Sequence, residues 1–182
     1  QEVQLHLHPE WSDEARPPLL PEVGGKRPLM SDYSVDEQRI LIDRGMELFR
    51  EAGGPRPIAF RSGSFACNQD TFAAVANCGI HFDSSINPET PVSQPGAAVP
   101  EVAGYCEPFQ LDDLTLIPMT SFLDGFDRAR HAQIGACSAG ELIQALEGAE
   151  RNDWSTFVLL SHNFELMVPG KSRPDDIVVK RF

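Results

Sequence analysis

Short apolar runs alternate with capped helical segments through the first half of the chain. Ser34 and Glu37 form a capping box at the start of one predicted helix, and Asn68 is suited to cap a second. Strands and helices that alternate with short connections are typical of βα units and a parallel sheet. The sequence therefore predicts an α/β fold. The predicted segments are residues 34–52 (helix), 57–60 (strand), 68–79 (helix) and 80–82 (strand).

The second half of the chain is less regular. Ser138 and Glu141 form a second capping box, and Pro174 is typical of a helix start. Apolar residues 154–160 resemble a buried strand most clearly, whereas residues 121–136 are ambiguous. The predicted segments are residues 105–109 and 114–119 (strands that pair over Asp112-Asp113), 138–150 (helix), 154–160 (strand) and a tail helix from residue 174.

The opening segment alternates strictly between apolar and polar residues. Val3, Leu5 and Leu7 are predicted on one face of a strand, with Gln4, His6 and His8 on the other, before Pro9 ends the pairing. Two imidazoles on one strand face can converge on a single ion. The alternative at this stage is two ordinary histidines, one bonded to a backbone carbonyl and one exposed to solvent.

Ionisable residues follow or end several of the predicted strands. They are His6 and His8, then Arg61, Asp83 and His162. Taken singly, Arg61 fits a surface ion pair, Asp83 a turn and His162 a hydrogen-bonded core histidine. Because the carboxyl ends of parallel strands gather at one rim, the set together predicts one functional site.

Two long irregular segments are predicted to be loops, residues 12–33 and 88–100. Loops of this length are often binding loops, and the first directly follows the histidine pair. Trp11, at its start, is predicted either as a platform for substrate or as a plug beneath the loop. We expect the loop at residues 12–33 to lie over the site.

Composition restricts the partners of this 182-residue chain. A formal net charge of −12 argues against nucleic acid and anionic membrane surfaces and favours a neutral or cationic substrate, or a bound cation. No apolar run approaches the roughly 18 residues of a membrane span, and no signal peptide is visible. Cys67, Cys78, Cys106 and Cys137 form no C-x-x-C motif, which favours free thiols in a reducing, cytoplasmic compartment. The oligomeric state is not indicated.

Four sequence motifs resemble those of the polysaccharide deacetylases, which form carbohydrate esterase family 4, or the NodB homology domain. They occur in the family's order and together cover roughly residues 1–165. The His-x-His-Pro form of the first is a variant of a commoner His-x-x-x-His. The motifs are Leu5-His6-Leu7-His8-Pro9, Phe60-Arg61-Ser62-Gly63, Gly79-Ile80-His81-Phe82-Asp83-Ser84-Ser85 and Leu160-Ser161-His162.

The resemblance implies a distorted (β/α) barrel, formed as a single catalytic domain over residues 1–182. It implies removal of acetyl groups from N-acetylated sugars with a divalent metal, most often zinc. By motif, His6 and His8 would bind the metal and Arg61 would orient the catalytic carboxylate. His162 would be the general acid that protonates the leaving amine, with Asp83 as its partner.

The family's Asp-Asp motif, which supplies the catalytic base and a third metal ligand, has no counterpart before His6. The chain lacks an initiator Met and opens directly in a strand. We therefore expect a partial domain, incomplete at its N-terminus.

Two alternatives to the deacetylase stay open. One is a hydrolase of a small amide or cyclic imide on the same fold, and the other is a glycan-binding domain without catalysis. The sequence of the loops does not distinguish a groove from a closed pocket.

Overall fold

A computed structural model describes residues 2–21, 24–90, 92–94 and 107–181. The chain divides into two compact units. The first comprises residues 1–100 and 108–118, and the second comprises residues 101–107 and 119–182. The prediction of one domain over the whole chain stays a prediction.

A five-stranded sheet forms the centre of the first unit, with strands in the order β1-β2-β3-β5-β4. All neighbouring pairs are parallel except the β4–β5 hairpin. The predicted α/β class, with a mostly parallel sheet, is confirmed. The strands are β1 (Leu5–Leu7), β2 (Ala59–Ser62), β3 (Phe82–Asp83), β4 (Phe109–Leu111) and β5 (Leu114–Leu116).

Helix α1 (Val35–Glu51) packs on β1 through a glycine. A Cβ built at Gly45 would lie 3.0 Å from Leu7 Cδ1 and 3.3 Å from Leu5 Cδ1, so the strand's apolar side meets the helix closely. The Ser34 side chain accepts a hydrogen bond from the Glu37 backbone N–H, which confirms the predicted capping box. The apolar side of β1 therefore faces α1, and the histidine side chains lie on the opposite side of the strand.

Helix α2 (Gln69–Asn77) begins where the sequence predicts, with Asn68 accepting from the Thr71 backbone N–H. The predicted hairpin over Asp112-Asp113 is also confirmed, and Asp112 has φ 49° in its turn. Its strands are residues 109–111 and 114–116, so the first begins later than predicted and the second ends earlier. Residues 105–106 of the predicted strand lie outside the described residues.

The strands β2 and β3 end later than predicted. Arg61 lies inside β2, where it pairs with His6, and Asp83 is the last residue of β3. Parallel pairing extends to these residues because Ser84 N–H donates to the Phe60 carbonyl and Ile117 N–H donates to the Asp83 carbonyl. The ladder partners, which lie far away in sequence, therefore decide where the strands end.

In its described residues, the second unit contains a two-stranded antiparallel sheet, two α-helices and a short 3-10 helix. The ambiguous residues 121–136 include the hairpin of β6 (Ser121–Leu123) and β7 (Ala129–His131). Helix α3 (Ala139–Arg151) has the predicted Ser138–Glu141 capping box. The predicted tail helix is α4 (Asp176–Arg181).

The prediction of a strand at residues 154–160 is wrong. Leu160 alone forms a β-bridge, with Gln133, and Leu159 is 46% exposed. Leu160 N–H donates to the Ala132 carbonyl, but Val158 N–H donates to the Thr120 hydroxyl instead of to a neighbouring strand. Among the described residues, the bridge at Leu160 is the only strand-type pairing of this segment, so His162 follows an isolated bridge.

The first long loop is partly packed. It includes two short 3-10 helices, Ser12–Glu14 and Met30–Asp32, and Met30 and Tyr33 are buried in the core of the first unit. Trp11 is 68% exposed, with Lys26 Nζ 4.0 Å from its ring centroid, so it is not a plug beneath the loop. Most of the second predicted loop, residues 88–100, lies outside the described residues.

Cys67 and Cys78 are buried free thiols, Cys137 is also buried, and Cys106 lies outside the described residues. Burial raises the pKa of Cys67 and of Cys78 to about 12, which makes both poor nucleophiles. In the described part of the chain, no helix has both the length and the apolar character needed to cross a bilayer.

Candidate functional site

The two histidines of the opening strand meet at the end of β1. His6 Nε2 lies 3.1 Å from His8 Nε2, and the two rings are nearly perpendicular, at 84°. The alternation of the strand brings both side chains to one face, as predicted. The same nitrogen of each ring therefore lies next to its counterpart on the other ring.

The other nitrogen of each ring is held by a hydrogen-bond acceptor. His6 Nδ1 lies 2.8 Å from the Arg61 carbonyl oxygen, and His8 Nδ1 lies 2.7 Å from Glu10 Oε1. Because a carbonyl and an ionised carboxylate only accept, each Nδ1 carries a hydrogen. A neutral imidazole has one N–H, so both Nε2 atoms then present lone pairs to each other. Two facing lone pairs at 3.1 Å are suited to share a proton or a cation.

Glu10 is ionised in this setting. Burial alone would raise its pKa, but the hydrogen bonds from His8 and from its own backbone, with the nearby His8 and His6 rings, lower it. Its other oxygen, Oε2, is buried without a hydrogen-bond partner among the described residues. A carboxylate that fixes the Nδ1 hydrogen of a metal-ligating histidine is a common arrangement in metal sites.

The turn after β2 forms a close support for the His8 ring. A Cβ at Gly63 would lie 2.6 Å from His8 Nδ1, a distance that only glycine avoids. The next two residues, Ser64 and Phe65, have φ of 55° and 58°, a left-handed conformation that is strained for side chains of this kind. Ser62, which is buried, donates its hydroxyl to the Ala66 carbonyl at 2.7 Å and helps to hold this turn.

The backbone and the side chain of Arg61 make different contacts at this site. Its carbonyl holds His6, and its guanidinium lies 5.7 Å from the Phe65 ring centroid. Burial lowers the pKa of the guanidinium, and no carboxylate of the described residues lies within ion-pair distance of it. This cation is therefore able to pair with an anionic group from elsewhere.

Asp83 is fully buried beneath this end of the sheet. Its two oxygens accept from Ser85 N–H at 2.8 Å and from the Ser85 hydroxyl at 2.9 Å. Burial raises its pKa to about 7, although both Ser85 hydrogen bonds oppose that change. The Ser85 hydroxyl also accepts from Ser62 N–H, so Asp83 connects the ends of β2 and β3.

His162 belongs to the second unit, where its Nδ1 lies 3.0 Å from Glu165 Oε1. Its ring stacks on Phe164, with centroids 4.9 Å apart and 20° between the planes. Gln133 Nε2 donates to the same oxygen of Glu165. The family resemblance implies Asp83 as the partner of His162. That assignment stays a prediction, and Glu165 is the partner seen at Nδ1.

The structure therefore joins His6, His8 and Arg61 by direct contacts, with Asp83 at the end of the neighbouring strand. Within the described ranges, no three His, Cys, Asp or Glu side chains form a group that could hold a metal ion. Sequence reasoning missed Glu10 and Glu165. The signal for each was a carboxylate two or three residues after a selected histidine.

No protein-family model matches the chain, and comparisons with curated proteins and with solved structures gave no match. The likeness to polysaccharide deacetylases therefore depends on the four sequence motifs alone.

Proposed function

We propose that this protein is a metal-dependent hydrolase that removes acetyl groups from N-acetylated sugars of a polysaccharide or oligosaccharide. The observation that carries the proposal is the 3.1 Å approach of His6 Nε2 and His8 Nε2, with each Nδ1 held by an acceptor. Paired imidazoles with fixed Nδ1 hydrogens are suited to bind one divalent cation.

His6 and His8 fit a zinc ion as two of its ligands, because neutral imidazole nitrogen is a preferred zinc ligand. The remaining ligands would be water or groups beyond those described. When bound, the metal would polarise the acetyl carbonyl and lower the pKa of a bound water. The chain's own contribution is to keep the two Nε2 atoms close together, through Glu10, the Arg61 carbonyl and Gly63.

Hydrolysis of an acetamide needs proton transfers as well as a polarised carbonyl. The water oxygen bonds to the acetyl carbon, the carbon–nitrogen bond breaks, and the sugar nitrogen leaves with an added proton. We assign that proton to His162, as the family resemblance implies. Arg61 would orient the carboxylate that accepts the water's proton, since its guanidinium has no anionic partner among the described residues.

The proposal includes the fold of the family, a distorted (β/α) barrel. The parallel run β1-β2-β3-β5 supports it, since parallel strands alternating with helices are the unit from which such barrels are built. A net charge of −12 also suits a neutral sugar better than an anionic polymer.

Acetate release tests the proposal. The full gene product is stripped with a chelator, reloaded with Zn²⁺ and incubated with oligomers of N-acetylglucosamine. We expect acetate from the reloaded protein and none from the stripped protein or from a His6→Ala/His8→Ala variant. Hydrolysis of a cyclic imide without acetate release would contradict the sugar substrate and favour the imide hydrolase. Sugar binding without hydrolysis would contradict the proposal that the protein is an enzyme.

A further inference from the structure

Four polar side chains of the second unit form a continuous hydrogen-bonded chain. His131 Nε2 lies 2.8 Å from Gln133 Oε1, Gln133 Nε2 donates to Glu165 Oε1, and His162 Nδ1 lies 3.0 Å from the same Glu165 oxygen. The chain links an imidazole of β7 to the imidazole predicted as the general acid. The predicted function uses His162 alone and gives the other three no role.

The hydrogens in this chain have a single consistent arrangement. Burial would raise the pKa of Glu165, but hydrogen bonds from His162 and Gln133 lower it below its usual value, so Glu165 is ionised. A carboxylate only accepts, so His162 carries its hydrogen on Nδ1. The Gln133 amide nitrogen faces Glu165, so its oxygen faces His131 and accepts the His131 Nε2 hydrogen. In neutral His162, the lone pair is therefore on Nε2.

Packing holds the carboxylate in this position. The Glu165 side chain is only 13% exposed, and a Cβ at Gly135 would lie 2.6 Å from Oε2. The His162 side chain is 36% exposed and stacks on Phe164, and the described residues place no hydrogen-bond partner at its Nε2. The ring therefore has one nitrogen fixed inside the unit and one left for a ligand or substrate.

We infer that Glu165, held by Gln133, is the positioning residue of His162 and fixes it as the Nδ1–H tautomer with Nε2 available for proton exchange. In this account protonated Nε2 gives its proton to the leaving nitrogen and regains one from solvent before the next turnover, while Nδ1 keeps its hydrogen bond throughout. A wrong tautomer at an otherwise intact histidine is known to be costly in catalysis. The tautomer follows from the contacts alone, whereas its role in turnover depends on the proposed deacetylase function.

Asp83 differs from Glu165 in a way that supports this assignment. Both oxygens of Asp83 are taken by Ser85, and the residue is fully buried. The carboxylate at His162 Nδ1 is instead three residues along the chain, in the 3-10 helix Asn163–Leu166. The local chain thus supplies the partner that the family resemblance places on β3.

Nitrogen-15 NMR of the His162 ring tests the tautomer directly, under conditions in which the imidazole is neutral. We expect the Nδ1–H tautomer in the wild type and in Glu165→Gln, because the Gln oxygen still accepts. We expect Glu165→Ala to move His162 towards the Nε2–H tautomer. Glu147→Gln, an exposed residue of the same unit paired with Arg151, is the matched control and leaves the His162 spectrum unchanged. A wild-type protein with His162 in the Nε2–H form would overturn the inference.

Turnover gives a second, separate readout. We expect Glu165→Ala to lower kcat for acetate release about 10–100-fold with metal content unchanged, a smaller loss than for His162→Ala. A wild-type kcat in Glu165→Ala would overturn the role of Glu165 in turnover, even if NMR shows the Nδ1–H tautomer at His162. If no variant or wild type releases acetate, the proposed function fails and the NMR result still decides the role of Glu165.

Discussion

The two histidine sites of this chain share one hydrogen-bonding pattern in two different structural settings. At the end of β1 and at residue 162, an imidazole is held at Nδ1 by an acceptor, which leaves Nε2 for chemistry. On β1 the Nε2 of His6 meets the Nε2 of a second imidazole at 3.1 Å, whereas His162 Nε2 has no such partner among the described residues. The first arrangement suits a cation and the second suits a proton.

The supports of the two sites also differ. His6 and His8 are placed by the parallel register of β1 on β2 and by the turn after β2, where Gly63 contacts the His8 ring closely. His162 lies in an irregular segment and is positioned by side chains, chiefly Glu165 and Phe164. Backbone ladders suit a metal site because its ligand positions tolerate little error, and a proton donor needs only its direction and tautomer fixed.

The largest expected effect separates the two sites. We expect His162→Ala to lower kcat for acetate release by about 10²–10⁴, because it removes the proposed proton donor. Metal content, measured by elemental analysis, should equal that of the wild type. Loss of metal in His162→Ala would instead show that His162 is a metal ligand. It would contradict the assignment of metal binding to one site and proton transfer to the other.

The buried carboxyl of the first unit predicts a pH effect on stability. The pKa of Asp83 is raised to about 7, so the folded chain keeps a proton that the unfolded chain releases near pH 4. The free energy of unfolding should therefore fall as pH rises from about 4 to about 7. Asp83→Asn removes this titration.

Denaturant unfolding of wild type and Asp83→Asn across that pH range measures the effect by difference. We expect the wild type to lose about 2–4 kcal/mol relative to the variant on going from acid to neutral pH. A difference that stays constant with pH would contradict the raised pKa.

The smallest effect concerns the support of His8. Gly63→Ala places a Cβ where His8 Nδ1 lies 2.6 Å away, so we expect a loss of about 1–3 kcal/mol in unfolding free energy. Gly25→Ala, in the same unit with no atom within 4 Å of its added Cβ, is the control and should change stability little. Equal effects of the two substitutions would show that the His8 ring is not confined by the turn.

Features decided within a few residues were predicted well from the sequence. The capping boxes at Ser34 and Ser138 and the cap at Asn68 are satisfied within one helical turn, so local chemistry specifies them. The alternation of the first strand likewise placed His6 and His8 on one face.

Features decided by distant partners were predicted poorly. The ends of β2 and β3 depend on ladder partners elsewhere in the sheet. Residues 154–160 have the composition of a strand, but within the described residues they pair only through the isolated bridge at Leu160. Glu10 and Glu165 were missed because a carboxylate two or three residues from a histidine is common in sequences. Only the side-chain geometry shows that each one reaches Nδ1.

Calorimetric titration with Zn²⁺ tests the central claim most directly. We expect one site in the wild-type protein and an affinity lowered by more than about a hundredfold in His6→Ala/His8→Ala. His81→Ala, which removes an exposed histidine of the same unit, should bind like the wild type. Equal zinc binding by the double variant and the wild type would contradict the account.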